Sequence, residues 1–143
     1  MSAINLTIEA NTDNLDKVLS FVDQRLEELD CSMKVQMQID LAIEEVYVNV
    51  AQYAYQHLPP EERRKGMVSI CVEDLDDPKR VEVTFSDEGI PFDPLAKEDP
   101  DVTLNADSRP IGGLGIFMVK KSMDSVEYEY KDGKNILKFR KDL

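Results

Sequence analysis

Three short segments of this 143-residue chain carry side chains that could do chemistry together. The first is Glu44-Glu45-Val46-Tyr47-Val48-Asn49. On a helix, positions four apart share a face and lie about 6 Å apart. Glu45 and Asn49 would therefore be neighbours on the shoulder of the apolar stripe that contains Val46 and Val50. An asparagine oxygen can ligate magnesium, and a carboxylate beside it can take a proton from an attacking hydroxyl. By itself the pair also fits two solvated residues on an amphipathic helix. The second segment is Asp87-Glu88-Gly89-Ile90-Pro91-Phe92-Asp93-Pro94, directly after an alternating apolar run. A carboxylate at a strand end can accept a hydrogen bond from an exocyclic amine, and a glycine two residues later lets a flat ligand approach the backbone. A tight acidic turn is the plainer reading, although Pro-Phe-Asp-Pro is unusual for one. The third is Gly112-Gly113-Leu114-Gly115 opening Ile116-Phe117-Met118-Val119. Glycines ahead of a helix expose amides, and a helix N-terminus attracts phosphate; a hinge with a helix cap would look the same. The Lys-Ser/Thr pair of a Walker loop is missing, and the glycines follow a long loop rather than a strand, unlike a dinucleotide fingerprint.

The elements that must position these segments are legible from periodicity. Ile4, Leu6 and Ile8 alternate with polar residues as in a half-buried strand. Asn11 or Thr12 could cap a helix carrying Leu15, Val18, Leu19, Val22 and Leu26 at helical spacing. A second helix is predicted from about Ser32 to Tyr55, with the stripe Val35, Ile39, Ala42, Ile43, Val46, Val50 and Ala54, ended by a loop through Pro59, Pro60 and the charged run to Lys65. Strands are predicted at Met67 to Glu73 and Arg80 to Phe85, turned at Asp76-Asp77-Pro78. The stretch from Ser86 to Ile111 is rich in Asp, Pro and Gly, and so long a segment without regular structure is usually a functional loop or lid. A short helix, Gly115 to Met123, and a hairpin from Val126 to Tyr130 and Asn135 to Arg140, turned at Asp132-Gly133, complete the chain. This order predicts one α+β two-layer sandwich over residues 1–143, a mixed and mostly antiparallel sheet with helices on one face.

Charge narrows the classes of partner. Seventeen Lys and Arg stand against 29 Asp and Glu, a net charge of −12. Such a surface repels phosphate backbones and anionic lipid, which argues against nucleic acid and membranes as partners. A bound nucleotide would need a divalent cation and helix amides to offset the long-range field. No apolar run is long enough to cross a bilayer, Met1 to Ala10 does not read as a signal peptide, and Cys31 and Cys71 read as reduced thiols, so a cytoplasmic location is expected. His57, the lone histidine, reads as a solvated residue after the second helix.

Taken in order, Glu-x-x-x-Asn on a helix, Asp-x-Gly-x-Pro-Phe-Asp-Pro and Gly-Gly-Leu-Gly-Ile-Phe-Met-Val resemble the N, G1 and G2 boxes of the GHKL ATPases, whose domain has the histidine-kinase-like ATPase fold. Arg109-Pro110-Ile111-Gly112-Gly113-Leu114-Gly115 and the ending Asp132-Gly133-Lys134-Asn135-Ile136-Leu137 resemble the branch of anti-sigma serine-protein kinases. The resemblance spans essentially the whole chain. It implies ATP and magnesium as cofactors, with Asn49 holding the metal and Glu45 as general base. It further implies that Asp87 binds the adenine amino group, Gly89 makes room for the ring, Gly112, Gly113 and Gly115 wrap the phosphates, and Leu95 to Ile111 forms the ATP lid. One departure stands after Asn49, where many relatives carry His-Gly or His-Ala and this chain has Tyr53-Ala54. The activity implied is γ-phosphoryl transfer to a serine of a STAS-type anti-anti-sigma protein, with a sigma factor as a second partner and a homodimer left open. The alternative is a non-catalytic ATP-binding switch that grips a protein partner. A histidine-kinase catalytic half fits less well, because no phosphoacceptor helix pair is present.

Overall fold

The computed structural model describes residues 2–63, 65–76, 79–96 and 114–143. Its elements run β1 (Ser2–Glu9), α1 (Leu15–Glu28), α2 (Met33–Tyr53), α3 (Pro60–Arg63), β2 (Met67–Leu75), β3 (Arg80–Asp87), α4 (Leu114–Ser122), β4 (Ser125–Lys131) and β5 (Lys134–Asp142), with short 3-10 turns at Thr12–Asn14 and Pro94–Ala96. The five strands form one sheet in the order β1-β2-β3-β5-β4. Every pairing is antiparallel, so the mixed sheet expected from sequence is an antiparallel one.

Strand alternation sorts the sheet into an apolar and a polar face. Ile4, Leu6 and Ile8 register against Val72, Ile70 and Val68, and these lie opposite Val83, Phe85 and Asp87 of β3. Phe139, Leu137 and Asn135 continue the rows on β5. The buried members of this face pack with Val18, Val22 and Leu26 of α1 and with Ile39, Ala42, Ile43 and Val46 of α2 in a single core. Helix α2, the longest element, starts at Ser32, whose side chain accepts the Val35 N–H at 3.2 Å as an N-cap. Tyr47, fully buried in its middle, donates its hydroxyl to the carbonyls of Glu9 and Asn11 at 3.0 and 2.7 Å, tying the helix to the end of β1.

The structure departs from the expected elements in three places. Neither Asn11 nor Thr12 caps α1, which begins at Leu15 after the 3-10 turn, with Asn14 at the cap position and no side-chain cap bond. Pro60 begins the one-turn α3 where a plain loop was expected, a position that tolerates proline because its missing N–H has no intrahelical partner. β3 runs on through Ser86 to Asp87, so the irregular stretch begins later than expected. The β4–β5 turn has the form expected of Asp132-Gly133, with φ of 54° and 77° at its two central residues. Cys31 and Cys71 are both free. Among the described residues no helix is long and apolar enough to cross a membrane.

Asp40 of α2 and Asp23 of α1 face each other across the helix seam, and each has a buried oxygen without a hydrogen-bond partner. Burial first, and then the bond and charge of Asp23, push the Asp40 carboxyl up to about 8 from an ordinary 3.8. The fold therefore holds a proton that the unfolded chain releases above pH 4, and this group's contribution to stability falls as pH rises from about 4 to about 8. Asp40→Asn, which supplies an N–H donor without a titrating proton, should raise the thermal midpoint at pH 8 and change it little at pH 5. Melting curves at the two pH values check this; equal shifts at both would contradict it.

Candidate functional site

The inward face of β3 reads Val81, Val83, Phe85, Asp87, all buried. The last member is a carboxyl delivered by strand alternation into an otherwise apolar layer, 6% exposed. Directly opposite on β5 lies Asn135, 5% exposed, and these are the buried polar residues of the described chain. Asn135 Nδ2 donates to Asp87 Oδ1 at 3.0 Å and to the Ile90 carbonyl at 2.7 Å. Its Oδ1 accepts the Phe92 N–H at 3.0 Å and a short hydrogen bond from the Tyr128 hydroxyl. The Gly89 N–H also donates to Asp87 Oδ1, at 2.9 Å. Burial pushes the Asp87 carboxyl up, and the Asn135 and Gly89 bonds pull it back toward the ionised form.

A cleft opens beside this pair, walled by Val46, Val50 and Ala54 of α2 and its end, Phe85 and Leu137 of the sheet, and Ile116 of α4. It holds about 430 Å³ when the space open to solvent is included. Asp87, Asn135 and Asn49 bring polarity to its lining. An apolar slot with a carboxylate at its base suits a flat heteroaromatic ring bearing an exocyclic amine.

Asn49 donates its Nδ2 to the Glu45 carbonyl one turn back at 2.8 Å. A carbonyl can only accept, so this bond fixes the amide orientation and leaves Oδ1 as the free acceptor. Glu45, half-buried, lies one turn back along α2 against Gly115: a Cβ added to Gly115 would overlap the Glu45 carboxylate. Gly115 is the second residue of α4, so the carboxylate rests against the first turn of that helix, whose amides lack intrahelical partners. Among the described residues no group of three or more His, Cys, Asp and Glu side chains is placed to hold a metal. A divalent cation here would take Asn49 Oδ1 together with oxygens of its ligand and water, as magnesium commonly does.

The structure thus brings Asn49 and Asp87 into one cleft, with Glu45 and Gly115 in contact beside it. Gly89 meets a constraint within the protein itself. A Cβ on it would overlap the carbonyl of Ala54, so its glycine character serves the close approach of the loop to the end of α2. The Ile90 N–H donates to that same carbonyl at 3.0 Å. Gly89→Ala should therefore cost about 1–3 kcal/mol, because backbone rather than a movable side chain is in the way. A denaturant midpoint equal to that of the native chain would contradict this. Gly112 and Gly113, and the expected lid beyond Ala96, lie outside the described residues.

Two features of the site escaped the sequence. Tyr53, which stands where relatives carry histidine, stacks on Phe92 with centroids 5.4 Å apart and planes at 30°, so Tyr53-Ala54 is the platform for the Asp-x-Gly loop. Asn135 is the other. It stood inside the Asp132-to-Leu137 ending that carried the family resemblance, and a polar residue at an inward strand position was the local hint of a role. His57 is exposed, as expected.

A family model described as the histidine kinase-like ATPase domain matches residues 8–141. The chain belongs to the histidine kinase-like ATPase family. The motif order that suggested the resemblance is borne out over nearly the full length. Among curated relatives, the serine-protein kinase RsbW of Staphylococcus epidermidis is 30% identical over 100 residues, covering 67% of this chain and 59% of that protein. RsbW of Staphylococcus aureus strain MW2 is 31% identical over the same span. The chain thus spans less than two thirds of the length of these relatives. Two solved structures share the fold of this ATPase domain. The RsbU and RsbW domains of a Mycobacterium tuberculosis protein align with a TM-score of 0.69 at 15% identity, over 100% of this chain and 33% of that one. The SiaB-SiaC complex from Pseudomonas aeruginosa aligns with a TM-score of 0.61 at 12% identity, over 98% and 89%.

Proposed function

We propose that this ATPase domain is a magnesium-dependent protein-serine kinase and anti-sigma factor whose substrate is a STAS-type anti-anti-sigma protein, as part of a partner-switching module. The observation that carries the reading is the shared cleft: Asp87 and Asn49 line it, and Glu45 stands one helical turn from Asn49, against Gly115 of α4. In this reading Asp87 accepts the adenine amino group while Phe85, Val50 and Leu137 hold the ring. Asn49 Oδ1 is the protein ligand of the magnesium, and the phosphates lie at the glycine-rich start of α4. Glu45 takes the proton of the partner's serine as its oxygen attacks the γ-phosphorus and the bond to the β-phosphate oxygen breaks. Phosphoryl transfer asks mainly for placement and charge compensation, which one amide ligand, helix amides and one base supply. The chain's relatives named serine-protein kinase support this reading.

The test is incubation of the protein with labelled ATP, magnesium and a purified STAS-type protein from the same organism. Label on a serine of that partner is the expected result. ATP-dependent association without label on the partner would replace the kinase with the switch.

A further inference from the structure

We propose that Asn135 is a positioning residue for the nucleotide site: its amide holds Asp87 in the orientation that leaves the second carboxylate oxygen to the cleft. The inference rests on the nucleotide reading above and adds to it a residue on a different strand.

The side chain has four hydrogen-bonding positions, two N–H donors and two acceptor lone pairs. All four are used: the donors by Asp87 Oδ1 and the Ile90 carbonyl, the lone pairs by the Phe92 N–H and the Tyr128 hydroxyl. The orientation of the amide is not free, because the Ile90 carbonyl only accepts and the Phe92 N–H only donates. Asp87 Oδ1 is thereby committed to two internal donors, Asn135 and the Gly89 N–H. Oδ2 is left for a ligand, and Asp87 lines the cleft. One buried amide thus sets the angle of the carboxylate and ties the loop Gly89–Phe92 to the β4–β5 hairpin.

The same bond favours the ionised form of the carboxyl. Burial favours the neutral acid, and the Asn135 donor opposes it. Among the described residues, the titratable groups packed nearest Asp87 in its own layer are tyrosines. Tyr55, from the end of α2, and Tyr128, on β4, are both pushed up by burial and stay neutral. Glu88 is next in the chain, and His57, Glu62, Lys65 and Lys134 share with Asp87 the groove on its other side.

Asn135→Asp isolates the donor. It keeps the shape and the acceptor for Phe92 and Tyr128 but loses the N–H groups that hold Asp87 and the Ile90 carbonyl, and places a second carboxyl against the first. Magnesium-ATP affinity is measured by calorimetry at pH 6 and pH 8.5 and expressed as the ratio of variant to native at each pH, which cancels titration of the nucleotide. The variant should bind about tenfold or more weakly at pH 8.5. It should recover toward native at pH 6, where a proton caught between the two carboxyls lets residue 135 donate to Asp87 again. Native affinity at pH 8.5, or the same loss at both pH values, overturns the proposal. If that variant does not fold, the isosteric pair Asn135→Thr and Asn135→Val decides it. The threonine hydroxyl can donate to Asp87, so the threonine variant must bind more tightly, and equal affinities overturn the role. Asp87→Asn separates the two levels of inference. If it leaves affinity unchanged, the nucleotide reading and this role fall together. If it weakens binding while Asn135→Asp does not, only the role of Asn135 falls.

Discussion

Glu45→Gln is expected to leave magnesium-ATP affinity within a few-fold of native while lowering phosphoryl transfer to the partner serine by about 10²–10⁴-fold. A general base acts on the hydroxyl as the transition state forms and contributes little to holding ATP. Glutamine keeps the size of the side chain against Gly115, so the contact between α2 and the first turn of α4 survives. Glu44 is the internal control. It is exposed and points about 100° away around the helix, and Glu44→Gln should transfer at close to the native rate. Single-turnover transfer rates, with affinity measured in parallel, check both. Native transfer by Glu45→Gln would remove the base assignment and leave the cleft assignment standing.

Asn49→Ala is expected to fail earlier, at binding. Its oxygen is the one polar acceptor α2 presents to the cleft, and the chain's charge of −12 gives no compensating field. Loss of the metal ligand should weaken magnesium-ATP by about 10-fold or more, and transfer should fall with it, because a metal ligand serves both steps. Folding should be spared: among the described residues Asn49 bonds only its own helix, at the Glu45 carbonyl, and alanine is a better helix former. Calorimetry beside a melting curve separates the two effects. Unchanged affinity would show that the metal is held elsewhere.

Much of the architecture follows from local patterning. The period-two runs of β1 to β5 and the 3.6-residue stripes of α1 and α2 are strong because each element buries one face only. The Asp132-Gly133 turn was legible because its two positive φ angles demand those residue types. What could not be read is what depends on juxtaposition. Asn135 and Asp87 are 48 residues apart, and only the β3–β5 register makes them partners. Asp23 and Asp40 meet because α1 packs on α2, which no periodicity records. Gly89 has a local cause that its sequence context did not show: a Cβ there would overlap the Ala54 carbonyl. Within the site, the spacing Glu45 to Asn49 could be placed from sequence because it lies on one helix. Their convergence with Asp87 and Gly115 required the fold.

The central claim is that this cleft binds a magnesium-nucleotide complex through Asn49 and Asp87. The most direct test is calorimetric titration of the protein with ATP, once in excess magnesium and once in excess chelator. The account predicts saturable one-to-one binding in magnesium and affinity at least about tenfold weaker in chelator, because the protein presents an amide ligand and helix amides rather than a basic groove. No binding in magnesium, or equal affinity under the two conditions, would contradict it.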